Sequence, residues 1–315
     1  MTTALYGPDG FYRRPAGPAA HFRTSVHASP LFAEAVARLA MAVFTEAGRP
    51  PEFAVVDVGA GRGELLGQLT GLLPAGWRLI GVDVVDRPAE LPDRIEWRPG
   101  LDQLEELPYG LLVANEWLDN IPLDVIVEGR LIEVDPTGRE RAGGPPGDRD
   151  LAWCSQWAAA FGSRIEVGWP RDDAWAEAAG RIGTGLAVAI DYAFGEVPHD
   201  TGTLAGFRDG RQVPPVPDGS CDLTAHVLLE SCARAGGGAS MMTQRQALSL
   251  LGISAARPPR ELASTDPAGY LRALQRTSEA AELLDPHGLG GFRWLLRPVR
   301  MRLPEVLDAA ASSLG

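Results

Sequence analysis

Five short apolar runs, set between helical patterns, constrain this chain more than any other feature. FAVVDV (53–58), RLIGVD (78–83), IEW (95–97), GLLVAN (110–115) and LAVAIDY (186–192) are apolar almost throughout rather than alternating. Strands of that kind are covered on both faces, and strands interleaved with helices form parallel sheets because each parallel pairing needs a crossover. The expected fold is therefore α/β, a Rossmann-like and mostly parallel sheet. ASMM (239–242) and FRWLL (292–296) can complete it. ELLGQLTGLL (64–73) reads as a helix with Leu65, Leu69 and Leu72 on one side. Ahead of the sheet, Ser29 can cap a helix that has Pro30 at its first position and ends at Gly48. Its Phe32, Val36, Leu39 and Val43 follow helical spacing and should face the core.

Around this rhythm the chain divides into an N-terminal arm and first helix (1–50), a cofactor-binding core (51–123), an insertion (124–180), and the remainder of the sheet with substrate-side loops and C-terminal helices (181–315). Residues 1–29 read as irregular, and 196–221 as loop. The insertion opens with a hairpin, VIVEGRLIEV (125–134), turning at Gly129, and continues through a Gly/Pro-rich loop at 142–148. It also carries Trp153, Trp157, Trp169 and Trp175, read here as packing the insertion onto the core rather than lining a cleft.

Composition excludes several classes. The chain has 315 residues, 45% of them hydrophobic, enough to bury a sizeable core. Its net charge of −12 has the wrong sign for tracking phosphates, so no nucleic-acid partner is expected. All 29 basic residues are arginine. Without lysine there is no Walker lysine, Schiff base or lysine general base. Cys154, Cys221 and Cys232 form no CxxC pair and no ligand spacing with the five histidines, so reduced thiols and no metal are expected. No run of about 18 apolar residues predicts a membrane span, and MTTALYGPDGFYRRP lacks the apolar core of a secretory signal. The expected location is cytoplasmic.

The turn after the first strand reads VDVGAGRG (56–63). Gly59, Gly61 and Gly63 give G-x-G-x-G, whereas the dinucleotide fingerprint G-x-G-x-x-G would need glycine where Glu64 stands. A phosphate cradle is thus disfavoured, and with it an NAD-dependent oxidoreductase. Glycines there let a ligand lie against the backbone. Asp83, ending the next strand, can accept hydrogen bonds from both ribose hydroxyls, and Asp57 favours positive charge. S-adenosyl-L-methionine combines a ribose, no pyrophosphate, and cationic sulfonium and amino groups. It is the expected cofactor, with Asp57, Gly59, Ala60, Gly61, Gly63, Asp83, Leu101 and Asn115 as its candidate contacts. Asn115 and Glu116 end the fourth strand, so NEWLDNIP overhangs the bound cofactor, as ligands sit beyond the carboxyl ends of parallel strands.

Together these segments resemble the MidA-like family of S-adenosyl-L-methionine-dependent methyltransferases, which includes the mitochondrial complex I assembly methyltransferase. ALYGPDGFY (4–12), FRTSVHASPLF (22–32), VDVGAGRG and VANEWLDNIPLDV (113–125) look like successive family motifs. IDYAFG (190–195), GTLAGF (202–207), DLTAHV (222–227) and TQRQALSLLGI (243–253) follow in family order, and LLDPHGLGGFRWL (283–295) matches more loosely. Departures fall on the acceptor side. Val26 and His27 replace Pro-Glu, Ala205 replaces a frequent Arg, Asn120 replaces Ala, and the N-terminal helix is largely missing.

The resemblance implies a seven-stranded methyltransferase sheet and in-line methyl transfer, which needs alignment and a desolvated cleft. Because the mitochondrial relative modifies protein arginine, it also implies an arginine acceptor, held in a fork by carboxylates. Glu116 first, then Asp119 and Asp191, are the catalytic candidates, with His226 as a proton acceptor. Tyr192 is a further cleft residue, and Thr24 and Ser25 can reach the cofactor from the arm. Two alternatives remain open: a small-molecule (natural-product) methyltransferase, and a non-catalytic cofactor-binding assembly factor.

Overall fold

The computed structural model describes residues 1–14, 24–194, 201–237 and 240–311. The N-terminal arm is not irregular where it is described: α1 (Thr2–Tyr6), a 3-10 turn (Phe11–Arg13) and α2 (Ser25–Ala28) give it shape. Ala4, Leu5 and Phe11 bury themselves against Cys221 and Leu223, a long-range contact that local sequence patterns do not announce. Residues 15–23, and with them Phe22 and Arg23 of the second motif, lie outside the described residues. α3 (Pro30–Glu46) begins as its residues require. The Ser29 hydroxyl accepts the Leu31 N–H (3.1 Å), and Phe32, Val36, Leu39 and Val43 are buried.

β1 (Ala54–Val58) leads through the glycine turn into α4 (Glu64–Leu69), then β2 (Arg78–Val82), β3 (Ile95–Arg98) and β4 (Leu107–Asn115). α4 stops four residues earlier than its leucine spacing suggests. Leu65 and Leu69 are buried, whereas Leu72, beyond the helix end, is 45% exposed. The segment after β4 holds β5 (Val125–Val127), β6 (Arg130–Val134), β7 (Glu140–Ala142), α5 (Asp148–Trp157), β8 (Arg164–Glu166) and α6 (Trp169–Gly180). β5 and β6 pair as the expected hairpin through Glu128–Gly129, inside a sheet ordered β7-β6-β5-β8. Trp153 and Trp175 are buried, Trp153 donating to Asp172 (2.8 Å) and Trp169 to Asp150 (2.8 Å). None of the four insertion tryptophans lines the main cavity.

β9 (Ile182–Asp191) returns the chain to the central sheet. The stretch 196–221 is more ordered than its composition suggests where it is described. β10 (Ala205–Arg208) and β11 (Arg211–Val213) form a hairpin that pairs with β12 (Asp222–Thr224). Residues 195–200, including Gly195 of the IDYAFG motif, lie outside the described residues. α7 (Leu229–Gly236), β13 (Ser240–Thr243), α8 (Gln244–Leu250), α9 (Leu262–Thr265), α10 (Pro267–Leu283), β14 (Arg293–Val299) and α11 (Glu305–Ala311) complete the described chain. Ala239 of the ASMM segment lies outside it.

The central sheet has seven strands in the order β13-β14-β9-β4-β1-β2-β3. β1, β2, β3, β4 and β9 run parallel, and β14 is antiparallel to both its neighbours. The apolar runs are continuous because successive side chains go to opposite covered faces. Val55, Leu79, Leu111, Val113, Val188 and Ile190 pack under α3, α4, α8 and α10. Val56, Ile80, Leu112, Ala114, Ala187 and Ala189 pack under α6 and α7. All the parallel strands therefore end at one edge, where the site forms.

Candidate active site

At the carboxyl edge of β1 the backbone turns sharply. Gly59 and Ala60 both donate to the Val82 carbonyl (2.9 and 3.2 Å), and Gly59, Gly61 and Gly63 all have φ in the left-handed region. A β-carbon on Gly59 would stand 2.7 Å from Trp117 Cδ1, so this glycine admits the indole against the backbone. Gly63 serves differently. It does not line the cavity, and a β-carbon there would meet Leu91 at 2.7 Å, so it packs the start of α4.

Asp83 ties the turn to the end of β2. Its Oδ2 accepts the Gly61 N–H (2.8 Å) and its Oδ1 the Val85 N–H (3.0 Å). Each oxygen keeps a second lone pair, and the residue lines the cavity, so the carboxylate can still accept from a diol. Asp57 is buried beside it. Burial first, then the like charges of Glu64 and Asp83, raises its carboxyl well above the usual range. A cation placed there would favour its ionised form.

These residues line one cavity of about 710 Å³, together with Leu101, Asn115, Glu116, Trp117, Thr24 and Asp119. Volumes of this size suit a nucleoside cofactor with an adjoining acceptor. Asn115 Oδ1 is buried with no hydrogen-bond partner, on a cavity-lining side chain. An orphaned acceptor oxygen and a buried acid whose ionisation is disfavoured suit a ligand that brings N–H donors and positive charge.

The opposite wall is acidic and aromatic. Glu116 adopts φ 51°, a left-handed backbone unusual outside glycine. Its Oε1 accepts the Ser25 N–H (2.9 Å) and the Asn115 side-chain amide (3.1 Å), and burial pushes its carboxyl up to about 7. Asp119 is buried, and its Oδ1 has no hydrogen-bond partner. Asp222 accepts from Tyr12 (3.0 Å) and Asn120 (3.1 Å), and burial raises it to about 7. Tyr6 donates to the Asn120 carbonyl (3.1 Å) and stacks on Tyr12 with ring centres 5.5 Å apart. Tyr192 lines the same wall. The cavity's arginines, Arg13, Arg14 and Arg62, are exposed, whereas Asp57, Glu64, Asp83, Glu116, Asp119 and Asp222 are buried or partly buried.

Three expected site residues stand behind this wall rather than in it. Asp191 is fully buried, and its Oδ2 accepts the N–H groups of Leu118 (2.9 Å) and Asp119 (3.3 Å). It shapes the turn that carries Asp119 and is not placed to touch an acceptor. His226 is also absent from the cavity wall; its ring stacks at 6.2 Å on Tyr192. Ser25 is buried outside the cavity, reaching Glu116 through its N–H and Gln244 through its hydroxyl (3.1 Å). Conversely, Tyr6, Tyr12, Trp117, Asp222 and Thr224 line the cavity without a local motif having marked them individually. Among the described residues no group of three His, Cys, Asp or Glu could hold a metal, and no helix is long and apolar enough to cross a membrane.

A doubly covered, mostly parallel sheet with a glycine turn, a following acid and a cation-seeking cavity at one edge defines a Rossmann-like methyltransferase. The comparisons agree. The family model for S-adenosyl-L-methionine-dependent methyltransferases matches residues 77–247, and the chain belongs to that family. It is similar to a COG1565 superfamily member from Burkholderia thailandensis whose crystal structure holds S-adenosyl-homocysteine. The two are 25% identical, with a TM-score of 0.76 over 96% of this chain and 87% of that one. The native structure of a COG1565 superfamily protein from the same organism shares the fold at 23% identity and a TM-score of 0.75, covering 96% and 86%. No curated protein matches. The chain is thus an S-adenosyl-L-methionine-dependent methyltransferase, as its motifs imply.

Proposed function

We propose that the protein methylates a guanidinium nitrogen of a protein arginine, and that the two walls of the cavity divide the work. Asp57, Gly59, Ala60, Gly61, Asp83, Leu101 and Asn115 would hold S-adenosyl-L-methionine, with Thr24 reaching it from the arm. When bound, the cofactor supplies a methyl group already activated by its sulfonium. The chain's own residues then have to align the acceptor, exclude water and take a proton.

The observation that carries this reading is Asp119: a buried, cavity-lining carboxylate with one oxygen unpartnered, next to Glu116. A guanidinium presents N–H donors in a planar fork and matches such an oxygen. Tyr6 and Tyr12 add aromatic faces suited to a delocalised cation. Glu116, with its carboxyl near 7, can accept the proton that the methylated nitrogen releases.

The test is to supply radiolabelled cofactor with a cell extract split into protein and low-molecular-weight fractions. Label in the protein fraction, recovered as methylarginine after hydrolysis, is expected. Label only in the small-molecule fraction would overturn the reading in favour of natural-product methylation. Tight cofactor binding with no label anywhere would make the protein a non-catalytic binder.

A further inference from the structure

Asp119 is held at almost every polar atom. Its N–H donates to Asp191 Oδ2, its carbonyl accepts from Ala225 N–H (3.2 Å), and its Oδ2 accepts from the Thr224 hydroxyl. The remaining partner of the carbonyl comes from far away in the chain. Arg171, on α6, sends Nη2 to the Asp119 carbonyl (2.7 Å), Nη1 to the His226 carbonyl (2.7 Å) and Nε to the Ile121 carbonyl (3.4 Å). Arg171 is only 2% exposed. The carboxylates of Asp119, Asp191 and Glu166 act on it through space, while its hydrogen bonds go to backbone oxygens.

A buried guanidinium is costly to desolvate, and an apolar side chain would fill the same volume at lower cost. What an apolar side chain cannot do is bind three carbonyls from two separate loops with one rigid fork. We infer that Arg171 is a positioning residue for methyl transfer, clamping the 119–121 turn to the 224–226 loop so that Asp119 keeps its free oxygen on the acceptor wall. The insertion that carries α6 thereby helps to shape the acceptor site without touching the acceptor. The catalytic consequence rests on the reading of Asp119 as an acceptor-side residue; the clamp itself does not.

The experiment compares Arg171→Lys, which keeps the charge and loses the fork, with Arg171→Gln, which keeps some donors and loses the charge. Asp172→Asn is the control. It sits beside Arg171 on α6 but bonds Trp153 and Ser231 instead. In both Arg171 variants, hydrogen exchange at the amides of 118–121 and 225–227 should quicken at least tenfold. Amides of β1 and β2 and the affinity for S-adenosyl-L-methionine should stay within about twofold. With an arginine peptide as acceptor, its KM should rise and kcat fall, while Asp172→Asn lowers the melting temperature without either change. Exchange that quickens equally across α6 and α7, or in the Asp172→Asn control, would reduce Arg171 to a packing residue and overturn the inference. A wild-type protein that ignores arginine peptides, with loop exchange still behaving as expected, would refute the acceptor assignment and leave the clamp standing.

Discussion

A non-glycine residue in a left-handed backbone costs about 1–3 kcal/mol unless its surroundings hold it there. Glu116 is held by its N–H to the Ile190 carbonyl (2.8 Å) and by two donors on its carboxylate. Glu116→Gln should leave cofactor affinity within about twofold and slow transfer about 100-fold or more, the usual size of a general-base contribution. Transfer by the wild type should rise with pH through about 7, as Glu116 ionises, and this limb should vanish in the variant; a pH–rate profile checks both. Asp83→Ala should raise the calorimetric Kd for S-adenosyl-L-methionine about 30-fold, since it removes charged acceptors and frees Gly61. At this scale the sequence was readable where chemistry sits on strand ends. Asp83, Asn115 and Glu116 follow apolar runs and Asp57 is the penultimate residue of one, and parallel strands deliver their last residues to one edge. Asp191 also ends a strand, but it turns to bond two backbone N–H groups, and no spacing rule distinguishes that from facing a ligand.

The N-terminal segment shows why elements distant in sequence were harder to read. Its motif was visible, but its purpose depends on where it docks. Tyr6 and Tyr12 reach Asn120 and Asp222, more than a hundred residues away, and so line the cavity beside the residues we assign to the acceptor. Removing residues 1–14 should therefore cut transfer at least tenfold while changing cofactor affinity by about threefold or less, measured by single-turnover transfer and calorimetry. The β10–β11 hairpin was hidden for another reason. Its strands are short and partly exposed, so they lack the apolar runs that revealed the central sheet. By contrast α3 was legible to within a residue at its start, because a serine cap and a proline at the first position are local chemistry.

The whole molecule gathers carboxyl groups with opposite tendencies. Burial holds Glu116 and Asp222 up to about 7 and Asp57 higher than an ordinary carboxylate, whereas in an unfolded chain all three ionise near 4. Between about pH 4 and 7 the folded state binds more protons, so stability falls as pH rises through that window. Glu34, Glu96 and Glu105, bonded to arginines, are held low, Glu105 at about 2, and their contribution is lost as pH falls. The melting temperature without cofactor should therefore be higher at pH 5 than at pH 7.5. A cationic cofactor favours the ionised acids, so its stabilising shift should be larger at pH 7.5; differential scanning calorimetry at both pH values tests both statements. The sheet order carries a last consequence, for synthesis. β14 lies between β9 and β13, yet it is made roughly a hundred residues after β9 ends. At about 5–20 residues per second, a nascent chain carries the open edge of β9 for some 5–20 s before its partner emerges. Such an edge invites pairing with a neighbour, so slow translation or crowded polysomes should favour aggregation of this chain before it is finished.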